Sequence, residues 1–326
     1  MIYALIYDSD RQAGLKPFAS LPLIITTGID WKYLSPMLQR PLPDLESWVK
    51  YLSQADIPVL KRTARELARL RENEENVSGR QVAGAILQDP LMTLRVLAYI
   101  EASRRASQTA DITTIDRAVM MIGITPFFAR FDKLPLLEDR LKEQPQALIG
   151  LLRVIARARQ ASIFARDWAV QRHDLDVDEV TIAALLHDSA EILLWSFAPT
   201  LMLDIRTLQM ENRGLRSAAA QEAVLGIQVS ELQLALARAW RLPELLLSLM
   251  DDSHAEHPRV RNVIYAVNLA RHSANGWSDP AIPDDIAEIS KLLGISGESL
   301  MMRLRRLVDI PPAEDATLAG ESTTKP

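Results

Sequence analysis

No cysteine occurs among the 326 residues, which excludes a disulfide framework, a thiolate zinc site and a cysteine nucleophile together. Glycine is scarce, at 12 residues, and the chain contains no G-x-G-x-x-G, G-x-x-x-x-G-K-[ST], G-x-S-x-G or H-E-x-x-H. Phosphate-cradling glycine loops, the hydrolase elbow and the zincin helix are therefore without support. An excess of one charge is lacking too: 37 basic residues face 42 acidic ones, for a net charge of −5. No global field draws such a chain to a polyanion, so nucleic acid is not an expected partner. The N-terminal "MIYALIYDSDRQ" has no basic region and only a short apolar run, and no later run reads as the roughly 20 apolar residues of a membrane span. The expectation is a cytoplasmic protein with no membrane partner.

What remains is apolar and periodic. Hydrophobic residues make up 48% and charged residues 24%, a composition that supports a folded interior. Residues 1–36 stand apart as an N-terminal extension, in which "MIYALIYD" and "LPLIITTGI" read as two short strands or irregular chain. From "RPLPDLESWVKYL" onward the pattern is helical. Asp44 is placed to cap a helix carrying Leu45, Trp48, Val49 and Leu52 on one face. The same period recurs through "VLKRTARELARLRE", "PLMTLRVLAYIEAS", "LIGLLRVIARARQASIFARDWAV" and "EVTIAALLHDSAEILLWSF" to "SGESLMMRLRRLVD", with prolines at helix starts or connections. The body is predicted to be all-α. The tail at 312–326 has few large apolar side chains and reads as disordered.

Two features carry candidate chemistry. The first is the adjacent pair His187 and Asp188 in "ALLHDSAEILLW". A catalytic metal needs at least three imidazole or carboxylate ligands and an open position. Neighbours on a helix point about 100° apart, so these two reach one ion only near a helix end. The plainer reading is a half-buried histidine followed by an aspartate that caps the next helix. Of the other histidines, His254 and His257 in "DDSHAEHPR" suit an exposed loop. His173 opens an acidic loop in which Asp178 is expected to cap the following helix, and His272 reads as a surface residue. The second feature is two arginine clusters, "KRTARELARLRE" and "LLRVIARARQASIFARD". Each offers guanidinium forks for a phosphate. Each also reads as a solvated face paired with acids at helical spacing, such as Glu66 near Arg62 and Arg69.

Taken in order, several segments resemble one family. "RPLPDLESWVKYL", "VAGAILQDPLMTLRVL" with Gln88, Asp89, Pro90 and Leu94, "TTIDRAVMMIGI", "ALLHDSAEILL" and "EAVLGIQVSELQLALARAWRLPELLLSLM" with Trp240, Leu242 and Pro243 are similar to successive motifs of the HDOD family, the HD-related output domain of bacterial signalling proteins. The resemblance runs from about residue 38 to about residue 275. It implies an all-α, HD-domain-like helical bundle over 37–311, with a helical first part at about 37–145 and an HD-like part at about 146–311. Related HD phosphohydrolases bind metal through a first histidine, the His-Asp doublet and a later aspartate. Carried onto this chain, the doublet is His187 and Asp188, Arg157 falls at the first histidine and Arg271 at the late aspartate. Where many relatives carry a lysine after the doublet, this chain has Glu191. A guanidinium has no lone pair to donate and repels a cation. The resemblance therefore implies no metal, no cofactor, no catalysis, and a regulatory module acting through a protein partner. Two alternatives stay open: Arg157 and Arg271 lining a cleft for a nucleotide second messenger, or an enzyme whose site is rebuilt with His254, His257 or Asp251.

Overall fold

The computed structural model describes residues 36–103, 112–212 and 214–308. The strands or irregular chain expected at 1–35 and the tail expected to be disordered at 312–326 lie outside the described residues. Every regular element among the described residues is a helix. In chain order these are α1 (Leu45–Ser53), α2 (Lys61–Arg71), α3 (Gly79–Ile86), α4 (Pro90–Ser103), α5 (Ile115–Ile122), α6 (Ile124–Arg130), α7 (Leu137–Arg140), α8 (Pro145–Gln171) and α9 (Val177–Leu186). They continue with α10 (Ser189–Phe197), α11 (Pro199–Glu211), α12 (Ser217–Leu225), α13 (Val229–Ala239), α14 (Glu244–Leu249), α15 (Pro258–Ser273), α16 (Ile282–Leu293) and α17 (Gly297–Leu307). The all-α expectation holds.

Helix starts follow local chemistry. Asp44 accepts from the Ser47 amide at 2.8 Å and opens α1, whose Trp48 and Leu52 are buried as the spacing predicts. Ser78 and Gln81 form a reciprocal capping box at α3. Prolines occupy the first turn of α8, α11 and α15, where the missing N–H costs nothing. Expectation and structure part at α9: Asp178 lies inside its first turn and pairs with Arg166 at 2.7 Å, while Asp176 takes the position before the helix without a side-chain cap. A carboxylate in the first turn still favours the helix dipole, but the guanidinium on α8 is the stronger partner.

One buried carboxylate ties the first part together. Asp89 is fully buried and accepts backbone N–H groups from Leu60 (2.8 Å), Leu91 (2.9 Å) and Met92 (3.3 Å), joining the start of α2 to the start of α4. Burial pushes its carboxyl up against the pull of those amides. Beside it, Val59 and Leu136 form an isolated parallel bridge that docks α7.

Helix α8, 27 residues long, is the axis of the second part; α9, α10, α11 and α15 pack on it. Small side chains on its inner face, including Ala147, Ala158, Ala161 and Ala165, are buried and let those neighbours approach closely. The tightest approach is at Gly150, where an added Cβ would lie 2.5–2.8 Å from three atoms of the Trp195 indole on α10. The apolar run Val177–Phe197 proves long and apolar enough, at 21 residues, to meet the criteria for a membrane span, contrary to the reading that no such run exists. It is broken between α9 and α10 at His187 and Asp188, and most of it is buried inside the fold, so its hydrophobicity serves the core.

Gly150→Ala tests that packing. Alanine gains about 1 kcal/mol of helix propensity, but the clash with a rigid ring costs about 1–3 kcal/mol, and a net fall in melting temperature is expected. Combining it with Trp195→Leu should return part of the loss relative to Trp195→Leu alone, read by thermal denaturation.

Candidate functional site

The doublet sits at the junction of α9 and α10, where helix ends leave backbone groups in need of partners. A single side chain from α13 supplies them. Gln233, itself buried, accepts from the Ala190 amide at 2.7 Å and donates to the Leu186 carbonyl at 3.0 Å, with Ser189 Oγ alongside. The turn is thereby held rigid, with His187 and Asp188 projecting from it toward α8 and the 3-10 turn Asp252–His254.

Asp188 stands at the N-cap position of α10 but does not cap it; its carboxylate is committed elsewhere. Oδ1 lies 3.2 Å from Nδ1 of His187 and Oδ2 lies 3.3 Å from Nη2 of Arg157. The same Nη2 reaches Oε2 of Glu191 at 3.0 Å. The Nε2 of His187 lies 3.1 Å from Oδ1 of Asp252. Three carboxylates thus surround one guanidinium and one imidazole. With both ring nitrogens facing carboxylates, both act best as donors, which is the imidazolium form. Burial alone pulls His187 toward neutrality, but the hydrogen bonds to Asp188 and Asp252 and their negative charges overcome it and carry its pKa up to about 9. Burial likewise opposes ionisation of Asp188. The His187 hydrogen bond, with the charges of His187, Arg157 and Arg271, holds its carboxyl well below the usual range.

The structure brings together Arg157, His187 and Asp188, and sets Arg271 within electrostatic reach of Asp188. Arg271 is exposed near the end of α15 and has no carboxylate within ion-pair distance among the described residues. Its neighbour His272 is not the surface residue expected: it is half-buried and bonds Asp285 on α16 at 2.6 Å. His254 and His257 remain exposed and converge on Glu256, at 3.5 and 3.3 Å, rather than on the doublet. Asp251 accepts from the Ser253 amide and hydroxyl. The acid that does join His187 is the next residue, Asp252. Asp252 and Gln233 were missed from sequence, and Glu191 was noted there without a partner. The "DDSH" run was the signal for Asp252, and nothing local marks Gln233.

These donors do not fit a divalent cation. Among the described residues no group of three or more His, Asp or Glu side chains is arranged to hold one. The imidazolium has no free lone pair, and the Asp188 oxygens are shared between an imidazole and a guanidinium that cannot be deprotonated.

Two outcomes follow. The folded pKa of His187 lies above the unfolded value of about 6.5, so its contribution to stability is complete below pH 6.5 and is lost as pH rises through about 9. The span corresponds to about 3 kcal/mol. Guanidinium unfolding at pH 6.5 and pH 9 should show that loss in wild type, and His187→Gln should remove most of the difference. Arg157→Met leaves Asp188 and Glu191 facing each other with side chains only 12% and 20% exposed. A loss of roughly 2–4 kcal/mol is expected by the same measurement.

A model of the HDOD domain matches residues 57–256, more than half of the chain. Among solved structures, the chain is similar to the MmoQ response regulator from Methylococcus capsulatus str. Bath. That likeness has a TM-score of 0.58 and 17% identity, covering 79% of this chain and 100% of that one. It is also similar to a virulence factor from Campylobacter jejuni subsp. jejuni, with a TM-score of 0.57, 19% identity, and coverage of 81% and 94%. No curated protein matches in sequence. Likeness at such identities shows a shared fold, whereas the family match rests on the sequence itself, and by that match the chain belongs to the HDOD domain family.

Proposed function

We propose that this chain is a non-catalytic signal-transduction module of the cytoplasm, in which the HD metal site has been converted into an internal ion-pair network and the output is contact with a protein partner. The observation that carries this reading is the Arg157 guanidinium bonded to both Asp188 and Glu191, at 3.3 and 3.0 Å. A hydrolytic metal centre needs three or more protein ligands and an open position for water. To bind there, a cation would have to displace a permanent charge from two carboxylates and deprotonate His187 as well. The resemblance makes the exchange intelligible: an arginine in the first-histidine place is accompanied by Glu191 in the lysine place, so the added cation meets an added anion. The response-regulator description of the Methylococcus neighbour accords with a signalling role.

The nucleotide-cleft alternative is weaker. Arg157 already serves two carboxylates, which leaves Arg271 alone to receive a phosphate.

Metal analysis of the purified protein by inductively coupled plasma spectrometry, with phosphodiesterase assays on cyclic dinucleotides and guanosine alarmones, tests the proposal. Substoichiometric metal and no turnover above buffer are expected. Stoichiometric metal together with turnover, both abolished by His187→Ala, would overturn it.

A further inference from the structure

The two arginine clusters, far apart in sequence, meet at one glutamine. Arg62 on α2 donates Nη2 to the Gln88 backbone carbonyl at 3.1 Å, and Arg159 on α8 donates Nη2 to the Gln88 side-chain oxygen. The helical spacing put Glu66 near both Arg62 and Arg69, and Arg69 takes both of its oxygens, at 3.0 and 2.7 Å. Among the described residues neither Arg62 nor Arg159 has a carboxylate within ion-pair distance. By contrast, Arg71 pairs with Asp132, Arg95 with Asp56 and Arg166 with Asp178.

Two guanidiniums are thus drawn toward one neutral residue with their charges unmatched. Burial and the like charge of Arg62 both disfavour the cationic form of Arg159, and the charge of Asp89 opposes them only in part. The Asp89 oxygens are occupied by the amides of Leu60, Leu91 and Met92. Each guanidinium presents five N–H donors and gives one bond to Gln88, so most of both forks face outward. A part-buried fork and an exposed one, like-charged and with spare donors, make an oxyanion site.

We infer that the junction of α2, α8 and the α3–α4 turn is a binding site for a phosphate-class oxyanion, held between Arg62 and Arg159 beside Gln88. A tetrahedral dianion offers oxygens to two forks that arrive from different helices and neutralises both. A carboxylate carries a single charge and cancels only one of the two. The site is separate from the doublet, because Arg159 lies two residues, or about 200°, around α8 from Arg157. It therefore stands independently of the proposed function.

Isothermal titration calorimetry of the full chain with inorganic phosphate and with pyrophosphate, at ionic strength matched with potassium chloride, tests it. R62Q, R159Q and R271Q serve as variants, and circular dichroism confirms that each is folded. Saturable heat in wild type is expected, weakened about tenfold or more in R62Q and in R159Q, unchanged in R271Q, and not competed by acetate. No saturable heat in wild type, unaltered binding in both R62Q and R159Q, or equal competition by acetate would overturn the assignment. Loss confined to R271Q would also overturn it, by placing the anion at the doublet.

Discussion

A single permanent positive charge, the guanidinium of Arg157, organises the heart of this fold. It sits between Asp188 and Glu191, two acids on either side of the first turn of α10, and joins that helix to α8. A buried carboxylate without a partner is costly, and two facing each other are worse. The arginine removes that cost without any proton equilibrium, since its charge does not titrate in the physiological range. His187 completes the balance by holding a proton between Asp188 and Asp252. Two cations thus stand among three carboxylates, and the charge of Arg271 acts on Asp188 as a third.

That network depends on geometry set elsewhere. The α9–α10 break must be rigid for the doublet to point at Arg157, and the Gln233 amide makes it so by satisfying the end of one helix and the start of the next. Asp89 plays the corresponding part in the first half, with three backbone amides on one buried carboxylate. Both are buried polar groups whose value is positional: satisfied, they choose one arrangement of helices among several that hydrophobic burial alone would permit. The close approach of Gly150 and Trp195 adds a steric lock between α8 and α10 near the same cluster.

Much of this was legible in the residues. The periodic stripes predicted an all-α body, Asp44 was recognisable as a cap, and the ordered motifs located the family. Around the site, Arg157, His187 and Asp188, all singled out from sequence, do come together. The misses share a cause. Asp178 was assigned to capping and His272 to the surface, yet each answers to a partner on another helix, Arg166 and Asp285. Glu66 was expected near both Arg62 and Arg69; it pairs with Arg69, while Arg62 turns to Gln88. Local rules count neighbours along one helix, and these side chains chose among neighbours in three dimensions.

Composition, period and motif order, all properties of the chain read in one dimension, were enough to determine the helical class and the family. Which acid meets which base was decided only by tertiary packing. A charged side chain several bonds long reaches any partner within a few ångströms of its tip, and those distances exist only once α8, α10 and the turn at Asp252 have been brought together.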